Sequence, residues 1–370
     1  MLCLRNKTSD HHLSKKKFFF TLGGTTDITV HEMQQDGSLK ELHPPTGGDF
    51  GGTAVDNKFK GLLTRIFGAD ILYKFKQKYM REYFEIMADF ELKKKLFDGT
   101  GTIVMKFSVD LLQFYENEVG MSIQECLRQS NFVDQIEFKK GKIFIAEEIV
   151  VGLFEEPVDK IIQTTQYLLN KVDNIDQIVT VGGFSQSPYL QSQLKIHFGN
   201  ILFMPKDPSL AVLRGAVMFG FNPTSIVSRV CKKTYGIARM MKFKPHHPAK
   251  KKIVLGGVEW CDDLFCKHIE IGTPVKVGDE DSATEHEYYP TVSEMKQAVL
   301  EVYASNEKNP MFINDKTCEF VGLIKIDLDT QGDIWSKVLV KMIFGGTELK
   351  VKVTDVKNNT VQIASVDFLG

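Results

Sequence analysis

The chain has 370 residues, 43% of them hydrophobic, and its 46 basic and 47 acidic residues leave a formal net charge of -1. That is enough apolar material for a core in two or three domains, and the near-neutral balance excludes the strongly basic surface of a general nucleic-acid binder. No run approaches the ~20 apolar residues a membrane-spanning helix needs. Six scattered cysteines (Cys3, Cys126, Cys231, Cys261, Cys266, Cys318) lack the spacing of a disulfide framework, so they read as the reduced thiols of a cytoplasmic protein.

Residues 1–17 carry no sustained periodicity and read as a disordered tail. Lys15, Lys16 and Lys17 before three phenylalanines imitate the start of a signal peptide, but the apolar run ends at Leu22. Residues 18–22 and 26–33 read as strands, with Asp36-Gly37 as the turn into a third over 39–43, an antiparallel meander. Val55, Phe59, Leu62, Leu63, Ile66 and Phe67 recur at helical spacing over 53–67, with Gly68 as the stop. A more charged helix is predicted over 79–97, a strand over 103–107, and a hairpin of 136–138 with 143–145 around Lys140-Gly141. An amphipathic helix over 146–172 contains Pro157, which predicts a break or kink.

A strand over 177–181, a glycine pair, a helix over 187–198, a short strand over 201–204 and a small-residue helix ending near Gly220 give βαβα order and so an α/β sheet. Beyond about Val227 helical periodicity gives way to short alternating segments between turns, clearest over 299–303, 323–328, 338–344, 349–353 and 361–368. These predict a β-sandwich. Residues 18–228 and 229–370 are therefore the two expected domains.

Two glycine turns carry the chemistry. In FFFTLGGTTDITV, residues 18–30, Gly23 and Gly24 lie between strands, where consecutive backbone N–H groups and the lack of a Cβ admit a phosphate and Thr25 and Thr26 add hydroxyls. In IVTVGGFSQSPYLQSQL, residues 178–194, Gly182 and Gly183 end a buried strand and precede a helix N-terminus, whose dipole and open N–H groups favour anions. Both turns are expected on the same edge of one sheet. Cys261, Cys266 and His268 imitate a metal cluster but lack a fourth ligand at a sensible spacing, so no metal site is assigned.

Residues 20–27 (FTLGGTTD) and 181–188 (VGGFSQSP) resemble the second phosphate motif, DxGGGTxD, and the adenosine motif, VGGxxxxP, of the actin, sugar kinase and 70-kDa heat-shock ATPase superfamily. More narrowly, GGFSQSPYLQ, KDPSLAVLRGAVMFG and TGGDFGGTAVDNKF resemble the heat-shock 70 kDa protein 12 branch, from about Lys15 to the C-terminus. The resemblance implies the second lobe of an actin-like ATPase followed by a β-sandwich like a chaperone's substrate-binding domain. It implies ATP or ADP with Mg2+ as ligand. Gly23, Gly24 and Thr25 would hold the phosphates, with Thr26 beside them, and Gly182, Gly183, Phe184 and Ser185 would line the adenosine site. Glu91, Lys94 and Lys95 of FELKKKLF would face ribose and adenine, although bottom-up that triplet is only a charged helix face. The sandwich would hold protein or peptide clients.

The chain departs from the family at two positions. Phe20 stands where the family has an acidic residue, and a phenyl ring cannot coordinate a hard cation; Leu22 replaces the first glycine. Asp27 remains as a residue that could position magnesium through water. Only residues 1–17 precede the motif, where relatives carry a whole first lobe, so hydrolysis is expected to be weak or absent. The alternative is an interaction scaffold that binds no nucleotide.

Overall fold

The chain begins its first strands where apolar and β-branched residues alternate. A computed structural model describes residues 17–21, 23–278, 283–289, 297–327, 337–346 and 348–367, with 17–21 and 366–367 as backbone only. The expected tail, apart from Lys17, and Leu22 lie outside the described residues. The chain divides into two units, Met1–Val30 with Pro45–Asn222, and His31–Pro44 with Pro223–Gly370. The division falls within β2 (Thr26–Met33) and β3 (Leu39–Gly48), which follow β1 (Lys17–Thr21).

In the first unit, α1 (Gly52–Phe67) buries Val55, Phe59, Leu62, Leu63, Ile66 and Phe67, the predicted stripe, and stops at Gly68, whose φ is 87°. Next come α2 (Ala69–Lys78), which the sequence reading left unassigned, and α3 (Met80–Leu96). The buried residues of α3 are Ile86, Phe90 and Lys94, spaced four apart on one narrow stripe. The Phe59 and Phe90 rings stack with centroids 3.8 Å apart, which fastens α3 to α1. After β4 (Ile103–Lys106), α4 (Val109–Val119) and α5 (Ile123–Arg128), β5 (Ile136–Lys139) and β6 (Lys142–Ile145) form the expected hairpin, with Lys140 and Gly141 both at positive φ.

α6 (Glu147–Lys171) runs as one assigned helix through Pro157. A break or kink was expected there; the helix is not broken, and buried Val150, Leu153, Phe154, Val158 and Ile161 hold the turns on both sides in the core. β7 (Gln177–Thr180), α7 (Pro188–Phe198), β8 (Leu202–Phe203) and α8 (Pro208–Phe221) complete the unit. Of α8 only Pro208 is buried, and Leu213, Val217 and Phe221 are exposed.

The strand order here is β2-β1-β7-β8. β1 pairs in parallel with β7 from Phe18↔Gln177 to Thr21↔Thr180, and β7 with β8. β3, β2 and β1 lie side by side in chain order, as the predicted meander requires, and β1 gives its other edge to a strand far along the chain.

Among the described residues the second unit carries strands and no α-helix. β9 (Ile226–Val230) pairs with β13 (Pro274–Lys276) and with Leu39 and Lys40 of β3. β10 (Thr234–Lys242), β11 (Lys252–Leu255), β12 (Val258–Ile269), β15 (Gln297–Ser305) and β16 (Cys318–Asp327) make a five-stranded sheet in the order β11-β12-β10-β15-β16. β14 (Glu285–Tyr288), β17 (Val338–Ile343), β18 (Glu348–Asp355) and β19 (Thr360–Asp367) make a four-stranded one in chain order. Ile237, Val302, Ile324 and Ile326 from the first sheet share one buried cluster with Val340, Met342, Val351 and Val353 from the second. The chain is therefore a mixed α/β protein with several sheets.

Candidate functional site

The parallel pairing of β1 with β7 sets up the site. Thr21 and Thr180 are partners at the C-terminal ends of adjacent strands, so the glycine turns that follow emerge side by side. A Cβ placed on Gly23 would lie 2.8 Å from the Gly183 backbone nitrogen. A third glycine segment closes on the same spot: Gly52 and Thr53 donate their N–H groups to the carbonyls of Gly23 and Gly24, at 3.0 and 3.3 Å. A Cβ on Gly51 would stand 2.4 Å from the Gly24 oxygen. Backbone approach this close is open only to glycine.

Together these turns and the facing helices enclose a cleft of about 280 Å3 lined by Gly23, Gly24, Gly52, Thr53, Asp56, Glu91, Lys94, Lys95, Gly183, Phe184 and Ser187. The volume lies just under the ~300–1,000 Å3 of small-molecule sites. The Phe184 ring is buried and stacks on Phe154, centroids 6.4 Å apart, which fixes that lip to α6. Ser187 caps α7 by accepting from the Leu190 N–H.

The opposite wall is charged. The stripe that buries Phe90 carries Lys94 inward one turn later, where its ammonium meets Asp56 of α1 at 2.7 Å, the Gly52 carbonyl at 3.2 Å, and Glu91. Lys95 reaches the other Glu91 oxygen at 3.2 Å. Burial acts to raise the Glu91 carboxyl, but hydrogen bonds and positive charge from Lys94 and Lys95 outweigh it and hold the group below the usual glutamate range. Glu91 is therefore an anion at neutral pH with part of its surface open to the cleft.

Of the residues singled out in the sequence, Gly23, Gly24, Glu91, Lys94, Lys95, Gly183 and Phe184 line this cleft, and Thr25, Thr26, Gly182 and Ser185 do not. Thr25 is exposed, its hydroxyl donating to Asp27 at 3.3 Å. Thr26 is fully buried. Gly182, at φ 96°, donates its N–H to the Pro208 carbonyl, and the Ser185 hydroxyl donates to the Val181 carbonyl. These four shape the turns from behind. The sequence reading did not place Gly52, Thr53, Asp56 and Ser187 at the site. The doubled glycine of TGGDFGGTAVD was the signal for Gly52 and Thr53, Ser187 lies inside the VGGFSQSP segment, and Asp56 follows from the stacking of Phe59 on Phe90, which no local pattern reveals.

No protein-family profile matches the chain. It is 31% identical over 360 residues to the heat shock 70 kDa protein 12A of Mus musculus and to that of Homo sapiens, covering 94% of this chain and 53% of each relative. To the heat shock 70 kDa protein 12B of Homo sapiens it is 31% identical over 367 residues, with the same coverage. The chain thus spans about half the length of the curated relatives it matches.

Proposed function

Because the chain belongs to the heat-shock 70 kDa protein 12 branch of the 70-kDa heat-shock proteins, we propose that its first unit binds an adenine nucleotide, ADP or ATP, in the cleft between the two glycine turns. The observation that carries this reading is the convergence of Gly23, Gly183 and the Glu91-Lys94-Lys95 group, distant in sequence, on one cavity. Adenine would lie flat against the backbone at Gly183, where no Cβ intervenes. Glu91 would accept from ribose hydroxyls and Lys95 would donate to them. The phosphates would run toward Gly23 and Gly24.

The donor set fits a nucleoside better than it fits a metal ion. The two carboxylates on the cleft wall, Asp56 and Glu91, are both ion-paired to Lys94, whose charge already neutralises much of what a hard cation would need and repels a second cation. Mg2+ would therefore arrive on the nucleotide's phosphates and not on this wall. We further propose that the second unit acts as a chaperone-like β-sandwich holding extended protein segments, as its two core-sharing sheets would allow.

Isothermal titration of the folded chain with ADP, with and without EDTA, tests the nucleotide reading. Binding that survives the chelator is expected. No heat at high micromolar ADP would leave the interaction scaffold as the better account, which the sequence at Phe20 and Leu22 favours.

A further inference from the structure

The second unit holds a group of side chains that nucleotide binding leaves unused. Cys266 and His268 stand two residues apart on β12, hence on one face of that strand. His286 faces them from β14, the edge strand of the other sheet. The Cys266 thiol and one ring nitrogen from each histidine lie within 4.8 Å of one another. The imidazole centroids are 4.1 Å apart, and Cys266 Sγ is 3.5 Å from His286 Nδ1.

We propose that Cys266, His268 and His286 form a binding site for a zinc-class transition-metal ion that fastens the two sheets of this unit together. One thiolate and two imidazoles are a borderline-soft donor set suited to Zn2+, with water as the fourth ligand. In a tetrahedral site with Zn–S about 2.3 Å and Zn–N about 2.0–2.1 Å, donor atoms stand roughly 3.3–3.7 Å apart. The donors lie within 4.8 Å of one another, so metal binding would draw the widest pair in by about 1 Å at most.

Independent support comes from an atom without a partner. His268 Nδ1 is buried and makes no hydrogen bond, and His268 is only 7% exposed. Leaving such a nitrogen unsatisfied costs about 1–3 kcal/mol, a cost that coordination removes. The surroundings supply the outer contacts of a metal site. Tyr288 Oη lies 2.9 Å from His268 Nε2, so it can accept that ring's N–H and leave Nδ1 with its lone pair free. Arg239 Nη1 is 3.9 Å from Cys266 Sγ and can donate to a thiolate. Binding would release the thiol proton to solvent. The nearby Arg239 charge should make this site weaker than an all-thiolate one.

From the sequence, Cys261, Cys266 and His268 only imitated a metal cluster, and no site was assigned there. The structure instead sends the Cys261 thiol to the Asp262 carbonyl and supplies His286, which chain distance had hidden.

The test is titration of the chelator-treated full chain with Zn2+ and Co2+. One equivalent of Co2+ is expected to give tetrahedral visible bands and a thiolate charge-transfer band in the near ultraviolet. Zn2+ is expected to raise the melting temperature. Cys266→Ser should abolish the charge-transfer band, and His286→Ala should weaken Co2+ at least tenfold. Both residues are only partly buried, and matching circular dichroism without metal checks their folding. If either variant fails that check, Cys266→Ala and His286→Gln replace them. The proposal is overturned if the chain takes up no metal, if these substitutions leave uptake unchanged, or if His246→Ala with His247→Ala removes it instead.

Discussion

The Lys94 ammonium stands 2.7 Å from an Asp56 carboxylate oxygen, on a side chain only 6% exposed, although the two residues sit on different helices. An ion pair this enclosed is costly to break from one side, because the partner left behind keeps its desolvation cost. Lys94→Met leaves both Asp56 and Glu91 without their shared cation and is expected to lower stability by about 2–4 kcal/mol in urea unfolding. Asp56→Asn should cost about 1 kcal/mol, since Asp56 is itself 24% exposed and Glu91 still holds the lysine. The double variant should cost clearly less than the sum of the two, and simple additivity would show that the pair does not act as a unit.

Glu91 gives the ribose contact a chemical signature. If its carboxylate accepts a ribose hydroxyl, Glu91→Gln should weaken ADP about tenfold, about 1.4 kcal/mol for a hydrogen bond to a charged group. Removing both hydroxyls from the ligand, as in 2′,3′-dideoxyADP, should cost the wild-type chain at least that factor and the variant clearly less, since only the Lys95 contact is then lost. Titration of both ligands against both proteins closes the cycle. Equal losses in the two proteins would place the sugar elsewhere.

The glycine contacts predict opposite outcomes for two Gly→Ala changes at the N-terminal end and in the middle of α1. At Gly51 the new methyl would meet the carbonyl oxygens of Gly24 and Gly23 at 2.4 and 2.8 Å. The turn must then shift, at about 1–3 kcal/mol, with loss of nucleotide binding. At Gly61, mid-helix and exposed, nothing lies within 4 Å, and Ala is expected to stabilise by about 0.5–1 kcal/mol. Melting curves of the two variants check both signs.

What could be read from the sequence follows the range of the forces involved. The stripe of α1 and the 140–141 turn are set by neighbours within a few residues, so period and turn chemistry sufficed for them. Glu91, Lys94 and Lys95 were reached only through the family resemblance, since a charged helix face looks the same whether it meets water or a cleft. Asp56 and His286 depend on tertiary pairings, Phe59 on Phe90 and β14 on β17, which no window along the chain contains. The strands β10 and β12 were missed because lysines, aspartates and histidines interrupt their alternation, Lys267 and Arg239 among them. The Lys267 head is held by Glu270 and Asn309, and Arg239 reaches Cys266.

His31 predicts how the protein responds to acid. Burial, aided by the positive charge of Arg229, depresses its imidazole from 6.5 to about 4. Between those values the unfolded chain binds a proton that the folded chain refuses, so stability rises with pH across this window. The contribution is fully present above pH 6.5 and is lost as pH falls toward 4, where it amounts to about 3 kcal/mol. Glu41, raised by burial against the opposing Val230 N–H and Arg229, works in the other direction, gaining stability as pH falls through its raised value. His268, pushed down to about 3 by burial and the neighbouring His286, adds to the acid loss. Both groups remain in a His31→Gln variant, so the difference between the two proteins isolates His31. Urea unfolding at pH 7, 5.5 and 4 should show wild type losing about 3 kcal/mol more than the variant over the range. Parallel losses in the two proteins would mean that His31 takes up its proton in the folded state without penalty.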